Sequence, residues 1–217
     1  MRFLEFTALL EAGEGLTIEF KRKFSSPAKI AREMIAFANT QGGTLLFGVD
    51  DDASIVGVSS EKEELEMIEQ AAAFFSDPPL RFISSIFSTH GRDIVCIEVP
   101  ESDTKPHVLV EPGAEEPVAY IRVGEHSVQA SREMVSVMRH RSGETGPVRL
   151  VIGEAERRLF SWFDSHDRIT VAEFAQITNM SARRASRLLV RLVRAGVLAI
   201  HTLEKSDYFT LLQVPER

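Results

Sequence analysis

The sequence is poor in cysteine and has no long apolar segment, and both absences narrow its class. Its 217 residues include one cysteine, Cys96, so neither an internal disulfide nor a cysteine-based zinc site can form. No apolar run approaches the length of a membrane span, and Met1–Glu5 already contains an acid, which disfavours a secretory signal. No Gly-x-x-x-x-Gly-Lys-Ser/Thr sequence occurs, so nothing indicates P-loop nucleotide binding. We therefore expect a cytoplasmic protein without a membrane partner.

Charge is distributed unevenly along the chain. The net charge of −7 argues against a uniformly basic surface for nucleic acid. Residues 1–149 hold fifteen basic and twenty-four acidic side chains, whereas residues 150–217 hold ten and eight. The segment 142–149 has the glycine and proline content of a linker. We predict a first domain at 1–141, a linker at 142–149 and a second domain at 150–217.

The first domain mixes helical and strand patterns, which predicts an α+β fold. Alternating apolar and polar residues over 16–23 predict a half-buried strand. Ser26-Pro27 is typical of a helix start, and Gly42-Gly43 of the end of that helix, where Asn39 and Thr40 are expected to satisfy the last carbonyls. Further helices are predicted at 2–12, 61–75 and 131–139, and further strands at 108–110 and 118–123.

Two β-hairpins are predicted in this domain. The Asp50–Asp52 turn joins apolar segments at 44–49 and 54–58, and His90–Arg92 joins segments at 80–88 and 93–99. Hairpins are therefore expected to be prominent in the α+β domain.

The second domain carries three helical segments followed by two strands. The helices are predicted at 154–163, 171–178 and 181–195, and the strands at 197–200 and 208–212. This is the order of elements in a winged helix-turn-helix.

The third of these helices carries a stripe of arginines. At 100° per residue its basic side chains fall on one face; they are Arg183, Arg187, Arg191 and Arg194, with Arg184 at the edge. Guanidinium groups suit phosphates and the O6/N7 edge of guanine, and this helix of the motif enters the major groove by its N-terminal half. The predicted DNA-binding residues are Ser181, Arg183, Arg184, Arg187 and Arg191. A solvated helix face and a winged helix that binds protein are the alternatives.

Acidic residues in the first domain suggest a different chemistry. Glu19 lies on the polar face of its predicted strand beside Lys21, Glu14 precedes it, and three aspartates follow a strand at 50–52. Carboxylates hold Mg²⁺ or Mn²⁺, and such metals cut phosphodiesters by activating water. A surface acid, a Glu–Lys pair and an ordinary Asp turn explain the same residues, so spacing alone leaves both interpretations open.

Several motifs in order along the chain resemble the Schlafen AlbA-like domain. They are Ile18-Glu19-Phe20-Lys21, Ala36–Gly43, Gly48-Val49-Asp50-Asp51, Ile55-Val56-Gly57, Pro106-His107 and Tyr120-Ile121-Arg122-Val123-Gly124. In prokaryotes such domains commonly precede a winged helix in DNA-binding transcriptional regulators. The resemblance therefore implies a regulator that binds DNA, and we expect a homodimer.

The same resemblance implies an alternative function. Animal Schlafens of the endoribonuclease kind cut tRNA with three acids and a divalent metal, and matching the motifs places these acids at Glu14, Glu19 and Asp51. This sequence departs from them because Cys96 alone cannot build their Cys/His zinc site, and because it holds one of their two related lobes. The alternative is thus an endoribonuclease that depends on Mg²⁺ or Mn²⁺, acts on RNA and forms its groove as a homodimer.

Overall fold

A computed structural model describes residues 3–141, 152–203 and 206–212, and the chain divides into two compact units, Met1–Gln129 and Ala130–Arg217. The first unit contains α1 Phe3–Ala12, β1 Ile18–Lys21, α2 Pro27–Asn39, β2 Gly43–Phe47, α3 Glu61–Phe74, β3 Ser76–Asp77, β4 Ile83–Thr89, β5 Arg92–Val99, β6 Val108–Leu109, β7 Val118–Val123 and β8 His126–Gln129. The second contains α4 Arg132–Arg141, α5 Glu154–Phe163, α6 Val171–Thr178, α7 Ala182–Arg194, β9 Leu198–Thr202 and β10 Asp207–Leu211. The predicted α+β class is confirmed. In the described part of the chain, no helix has both the length and the apolar character to span a bilayer.

Two four-stranded sheets organise the first unit. The first has the order β1-β2-β5-β4, with β1 parallel to β2 and the other pairs antiparallel. The second has the order β3-β6-β7-β8 and is antiparallel throughout. Helix α2 contacts strands of both sheets, and nine of its thirteen residues are buried. This central helix therefore ties the two sheets together through one apolar core.

The start of α2 follows the sequence prediction. The Ser26 side chain accepts a hydrogen bond from the Lys29 amide at 3.4 Å, and Pro27 occupies the first turn, where its missing N–H has no intrahelical partner. On the opposite face of the first sheet a second core forms around α1, where the ring of Phe6 stacks on that of Phe87 at 4.2 Å.

One predicted hairpin is confirmed and the other is wrong. Strands β4 and β5 pair through Thr89 and Arg92, around His90 and Gly91, which both have positive φ. The segment 54–58 forms no strand with 44–49 and contributes one isolated bridge, between Val49 and Ile55. Strand β2 pairs instead with β1 and β5. Its consecutive apolar residues are buried on both faces of the sheet, as is typical of an interior strand.

The two compact units divide before α4, whereas the sequence placed 132–141 in the first domain. Helix α4 contacts α7 and buries Val137 in the core of the second unit, which explains its place there. The predicted linker, 142–149, lies outside the described residues.

The second unit contains the predicted order of three helices and a hairpin. Its core joins α5, α6, α7 and the β9–β10 hairpin through buried residues that include Leu159, Phe174, Leu189 and Phe209. Trp162 packs at the edge of this core, donates a hydrogen bond from Nε1 to the Arg168 carbonyl at 3.0 Å and stacks on the His166 ring.

Candidate nucleic-acid interface

A short turn sets the direction of α7. Asn179 adopts the left-handed conformation (φ 53°) and ends α6, and the Met180 amide donates back to the Ala175 carbonyl at 3.0 Å. The Ser181 side chain then caps α7 by accepting from the Arg184 amide at 3.4 Å. Ser181 is therefore a helix cap in this structure, and its predicted contact with bases remains a prediction.

The arginine stripe divides into an exposed and a half-buried part. Arg183, Arg184 and Arg187 in the N-terminal half of α7 are exposed, whereas Arg191 and Arg194 are half-buried. Within the described residues, no carboxylate forms an ion pair with the three exposed arginines. Three cations are thus left to solvent along about one turn of helix.

Arg191 has a partner that the sequence analysis missed. Its guanidinium donates to Glu156 Oε1 at 2.7 Å, and the Glu156 side chain is only 5% exposed. Glu156 Oε2 also accepts from the Gly153 amide at 2.9 Å, which caps α5. Glu156 lies thirty-five residues before Arg191, so no local pattern shows that an acid interrupts the stripe.

Helix α4 flanks the other side of α7. Ser186 Oγ donates to Glu133 Oε1 at 2.5 Å, and a small depression of about 440 Å³ between the two helices also meets Arg187 and Arg194. Acids from α4 and α5 therefore lie on both sides of α7, where Glu133 accepts from Ser186 and Glu156 pairs with Arg191.

Two of the exposed arginines, Arg184 and Arg187, border a polar groove of about 790 Å³. Its basic lining comes from Arg158, Arg184, Arg187 and Arg191, and its acidic lining from Glu154 and Glu156. Glu154 pairs with Arg158 at 2.5 Å, and Glu156 pairs with Arg191. Because both acids are neutralised by their own arginines, the groove favours an anionic ligand at Arg184 and Arg187.

The structure does not assemble the predicted metal site. Glu14 accepts from the Phe20 amide at 2.8 Å, and Glu19 uses Oε1 for Lys21 and Oε2 for Arg122, the latter at 2.9 Å. Asp51 is exposed in the turn that follows β2. Across the described ranges, no three His, Cys, Asp or Glu side chains are grouped to hold a metal ion. The arrangement of Glu14, Glu19 and Asp51 therefore does not fit Mg²⁺ or Mn²⁺.

Glu14 still senses the neighbouring acids. Burial raises the pKa of its carboxyl above the ordinary value, and the negative charges of Glu19 and Asp51 raise it further. The hydrogen bond from the Phe20 amide opposes this shift. The Glu14 carboxylate thus accepts a hydrogen bond from the backbone of β1 and lies close to two other negative charges.

Arg122 is the residue that sequence reasoning missed. Its fully buried side chain donates to Glu19 and, at 3.1 Å, to Glu33, and a third bond at 2.6 Å reaches the Gly15 carbonyl. The guanidinium also lies over the Phe37 ring at 4.8 Å. One cation from β7 therefore joins β1, α2 and the segment before β1. Its place within the Tyr120–Gly124 motif was the available signal.

The Asn39 and His107 motif residues hold the backbone together. The Asn39 side chain donates to the carbonyls of His107 and Tyr120 and accepts from the His107 amide, all within 2.9 Å. His107 Nδ1 meets the Pro78 carbonyl at 2.7 Å, which requires the proton on Nδ1, and Nε2 then accepts from Ser102 Oγ. Burial lowers the pKa of His107, which favours this neutral form. Asn39 reaches across to other segments, whereas Thr40 Oγ1 donates to the Ala36 carbonyl as expected.

A family profile described as Schlafen, AlbA_2 matches residues 14–131, which is more than half of the chain. The chain belongs to the Schlafen AlbA_2 family. Membership of this family points to a nucleic-acid partner. A comparison with curated proteins gave no match.

Two solved structures align with part of the chain. The crystal structure of the DIP2311 protein from Corynebacterium diphtheriae is 17% identical, with a TM-score of 0.46, over 69% of this chain and 34% of that one. The solution structure of the N-terminal domain of a RecG-related protein from Nitrosomonas europaea is 24% identical, with a TM-score of 0.43, over 71% of this chain and 97% of that one. The chain therefore spans about a third of the length of the C. diphtheriae protein.

Proposed function

We propose that the chain is a DNA-binding transcriptional regulator whose second unit is a winged helix-turn-helix, with the N-terminal half of α7 in the major groove. The observation that carries this proposal is the set of three exposed arginines, Arg183, Arg184 and Arg187, which have no acidic partner in the part of the chain that the structure describes. The family assignment of residues 14–131 supports a nucleic-acid partner independently of α7.

The two halves of α7 have different roles in the proposed complex with DNA. A helix that enters the major groove contacts base edges through its N-terminal residues, which here carry the exposed arginines. A guanidinium donates two hydrogen bonds to guanine O6 and N7 or binds a phosphate. Arg191 is held by Glu156 and Arg194 is half-buried, so neither is assigned a base contact.

The metal-dependent endoribonuclease is not proposed. Both carboxylate oxygens of Glu19 already bind cationic side chains, and Glu14 caps the Phe20 amide. A divalent ion at these acids would have to displace Arg122, whose side chain is fully buried.

Removing two of the exposed arginines tests the proposal. In fluorescence anisotropy titrations with a labelled mixed-sequence duplex, Arg183→Ala combined with Arg187→Ala should weaken binding by at least about tenfold, because each lost contact costs about 1 kcal/mol or more. The slope of log affinity against log salt should decrease by about 0.9 for each lost phosphate contact.

The matched control removes two exposed arginines elsewhere in the second unit. Arg139→Ala combined with Arg157→Ala lowers the net charge equally and leaves α7 intact. Equal losses in both double variants would show charge attraction alone and contradict a role for α7. Stronger competition by single-stranded RNA than by duplex DNA would replace DNA with RNA as the partner.

A further inference from the structure

Strand β4 forms an edge of the first sheet and lacks the features that usually protect such an edge. Its sequence, Ile83-Ser-Ser-Ile-Phe-Ser-Thr89, contains no charge and no proline. Ile83 and Ile86 are 65% and 48% exposed. Proteins commonly protect exposed edges with lysine, proline, bulges or a covering segment, because an uncovered edge pairs readily with another strand.

The other edge of the same sheet is covered by the chain itself. On β1, the Ile18 carbonyl accepts from the Gly15 amide at 3.0 Å, and the Phe20 amide donates to Glu14 at 2.8 Å. The Ile18 carbonyl and the Phe20 amide, which point away from β2, therefore have partners within the chain. The two edges of the sheet therefore differ, because residues of the chain cover β1 and leave β4 exposed.

The pairing of β4 with β5 determines which backbone groups point outward. Two residues, His90 and Gly91, connect the strands, so Thr89 and Arg92 form a hydrogen-bonded pair. Such pairs alternate along the ladder, and the N–H and C=O groups of Ser84, Ile86 and Ser88 therefore point away from β5. Within the described residues, no other strand pairs with these groups.

We propose that β4 pairs antiparallel with β4 of a second copy of this chain, with the two-fold axis at Ile86. In this register Ile86 lies opposite Ile86 of the partner subunit, and Ser84 lies opposite Ser88 of the partner subunit. All three outward-facing residues then form hydrogen-bonded pairs, and the two sheets become one continuous sheet. The proposal adds a partner surface that the proposed DNA binding does not specify.

A second copy fits this edge better than an unrelated strand because the edge is complementary to itself. Serine stands two residues before and two residues after Ile86, so the face that carries Ser84, Ile86 and Ser88 presents the same side chains when the strand is reversed. The absence of charge removes like-charge repulsion between two identical strands. A two-fold interface needs this self-complementarity, since the same patch serves both partners.

The oligomeric state of the full chain without DNA tests the proposal. In sedimentation velocity we expect the wild type to show a concentration-dependent dimer and Ile86→Lys to remain a monomer, because two lysines would face each other on the axis. The control is Leu212→Lys, which changes an equally exposed apolar residue of the second unit, 47% against 48%. A monomeric wild type, or equal masses for both variants, would overturn the proposal.

Cysteine cross-linking tests the register. Ile86→Cys should form a disulfide-linked dimer on mild oxidation, since residues in a hydrogen-bonded antiparallel pair have Cα atoms about 5.5 Å apart. Ser84→Cys should form no disulfide-linked dimer, because residue 84 lies opposite residue 88 of the partner subunit. The native Cys96 is buried, and burial raises the pKa of its thiol to about 11, so it does not compete. Equal cross-linking of both variants would exclude this register. Neither experiment contains DNA, so its failure leaves the proposed function untouched.

Discussion

At the scale of single residues, Arg122 has the largest set of buried polar contacts in the candidate sites. Its guanidinium neutralises Glu19 and Glu33 in a place where water does not reach its side chain. Lys21 and Arg32 pair with the remaining oxygens of these two acids. The cluster thus balances buried carboxylates against cations from three parts of the chain.

Removing the central cation should be costly. Arg122→Met is expected to lower the free energy of unfolding by about 3–5 kcal/mol, because it leaves two carboxylates buried without their partner. Urea denaturation of the full chain measures this loss. Combining the change with Glu19→Gln and Glu33→Gln should recover part of it, and the exposed Arg81→Met should stay within about 0.5 kcal/mol. A loss no larger than that of Arg81→Met would contradict the structural role of Arg122.

The sequence could not show this cluster. The alternation around Glu19 correctly predicted a strand, and the Glu19–Lys21 pair was one of the two interpretations that the spacing left open. Arg122 lies 103 residues from Glu19 and 89 from Glu33, so their proximity depends on the tertiary fold alone. The metal site at Glu14, Glu19 and Asp51 was implied by the family resemblance, and no pattern in the sequence shows that Arg122 pairs with one of these acids.

At the scale of elements, the turn between α2 and β2 is the most constrained connection. Gly42 has a φ of +79°, and its amide donates to the Phe37 carbonyl at 2.9 Å. A Cβ atom there would lie 2.8 Å from the Val99 carbonyl oxygen and 2.9 Å from the Glu101 amide. The close approach of β5 therefore requires glycine beyond the conformation of the turn itself.

We expect Gly42→Ala to destabilise the chain by about 3 kcal/mol, from a left-handed alanine and from overpacking against backbone. Gly13→Ala is the matched control, with a φ of +71° and no atom within 4 Å of the added Cβ. It should cost about 1 kcal/mol, which is the conformational part alone. Equal losses in thermal or urea unfolding would show that the contact with β5 adds nothing.

Helices were easier to predict than strand pairing. A helix start depends on a few neighbouring residues. Ser26, Ser60 and Ser181 each precede a helix and accept the hydrogen bond typical of an N-cap. The Asp50–Asp52 turn also forms, since the Ala53 amide donates to the Asp50 carbonyl. The predicted hairpin of 44–49 with 54–58 is absent because β2 pairs with β1 and β5, which are both distant in sequence. A local turn signal does not determine which strands pair.

At the scale of the whole molecule, the division into two compact units falls before α4, whereas the sequence predicts a boundary at 142–149. The composition change at 142–149 marks a polar segment. Helix α4, which precedes this segment, packs against α7, which follows it. Val137 is buried in the second core, and Glu133 accepts a hydrogen bond from Ser186 on α7. Composition shows only where the chain is polar. The packing of α4 depends on contacts between residues about fifty positions apart, such as Glu133 and Ser186, so composition could not reveal it.

Two fragments of the second unit test this boundary. Residues 130–217 are expected to unfold cooperatively and to be about 2 kcal/mol more stable than residues 150–217, because α4 buries Val137 against α7. Circular dichroism with urea denaturation measures both. Equal stability of the two fragments would return α4 to the first domain, as the sequence analysis placed it.

The position of Trp162 gives this chain a built-in optical probe. It is the single tryptophan of the sequence and lies in the second unit, at the edge of the core that supports α7. Its ring packs beside His166 and its indole N–H is bound to a carbonyl, so opening of that core changes both its solvation and its emission. Tryptophan emission of the intact chain therefore reports on the second unit alone, whereas far-ultraviolet ellipticity averages over both units.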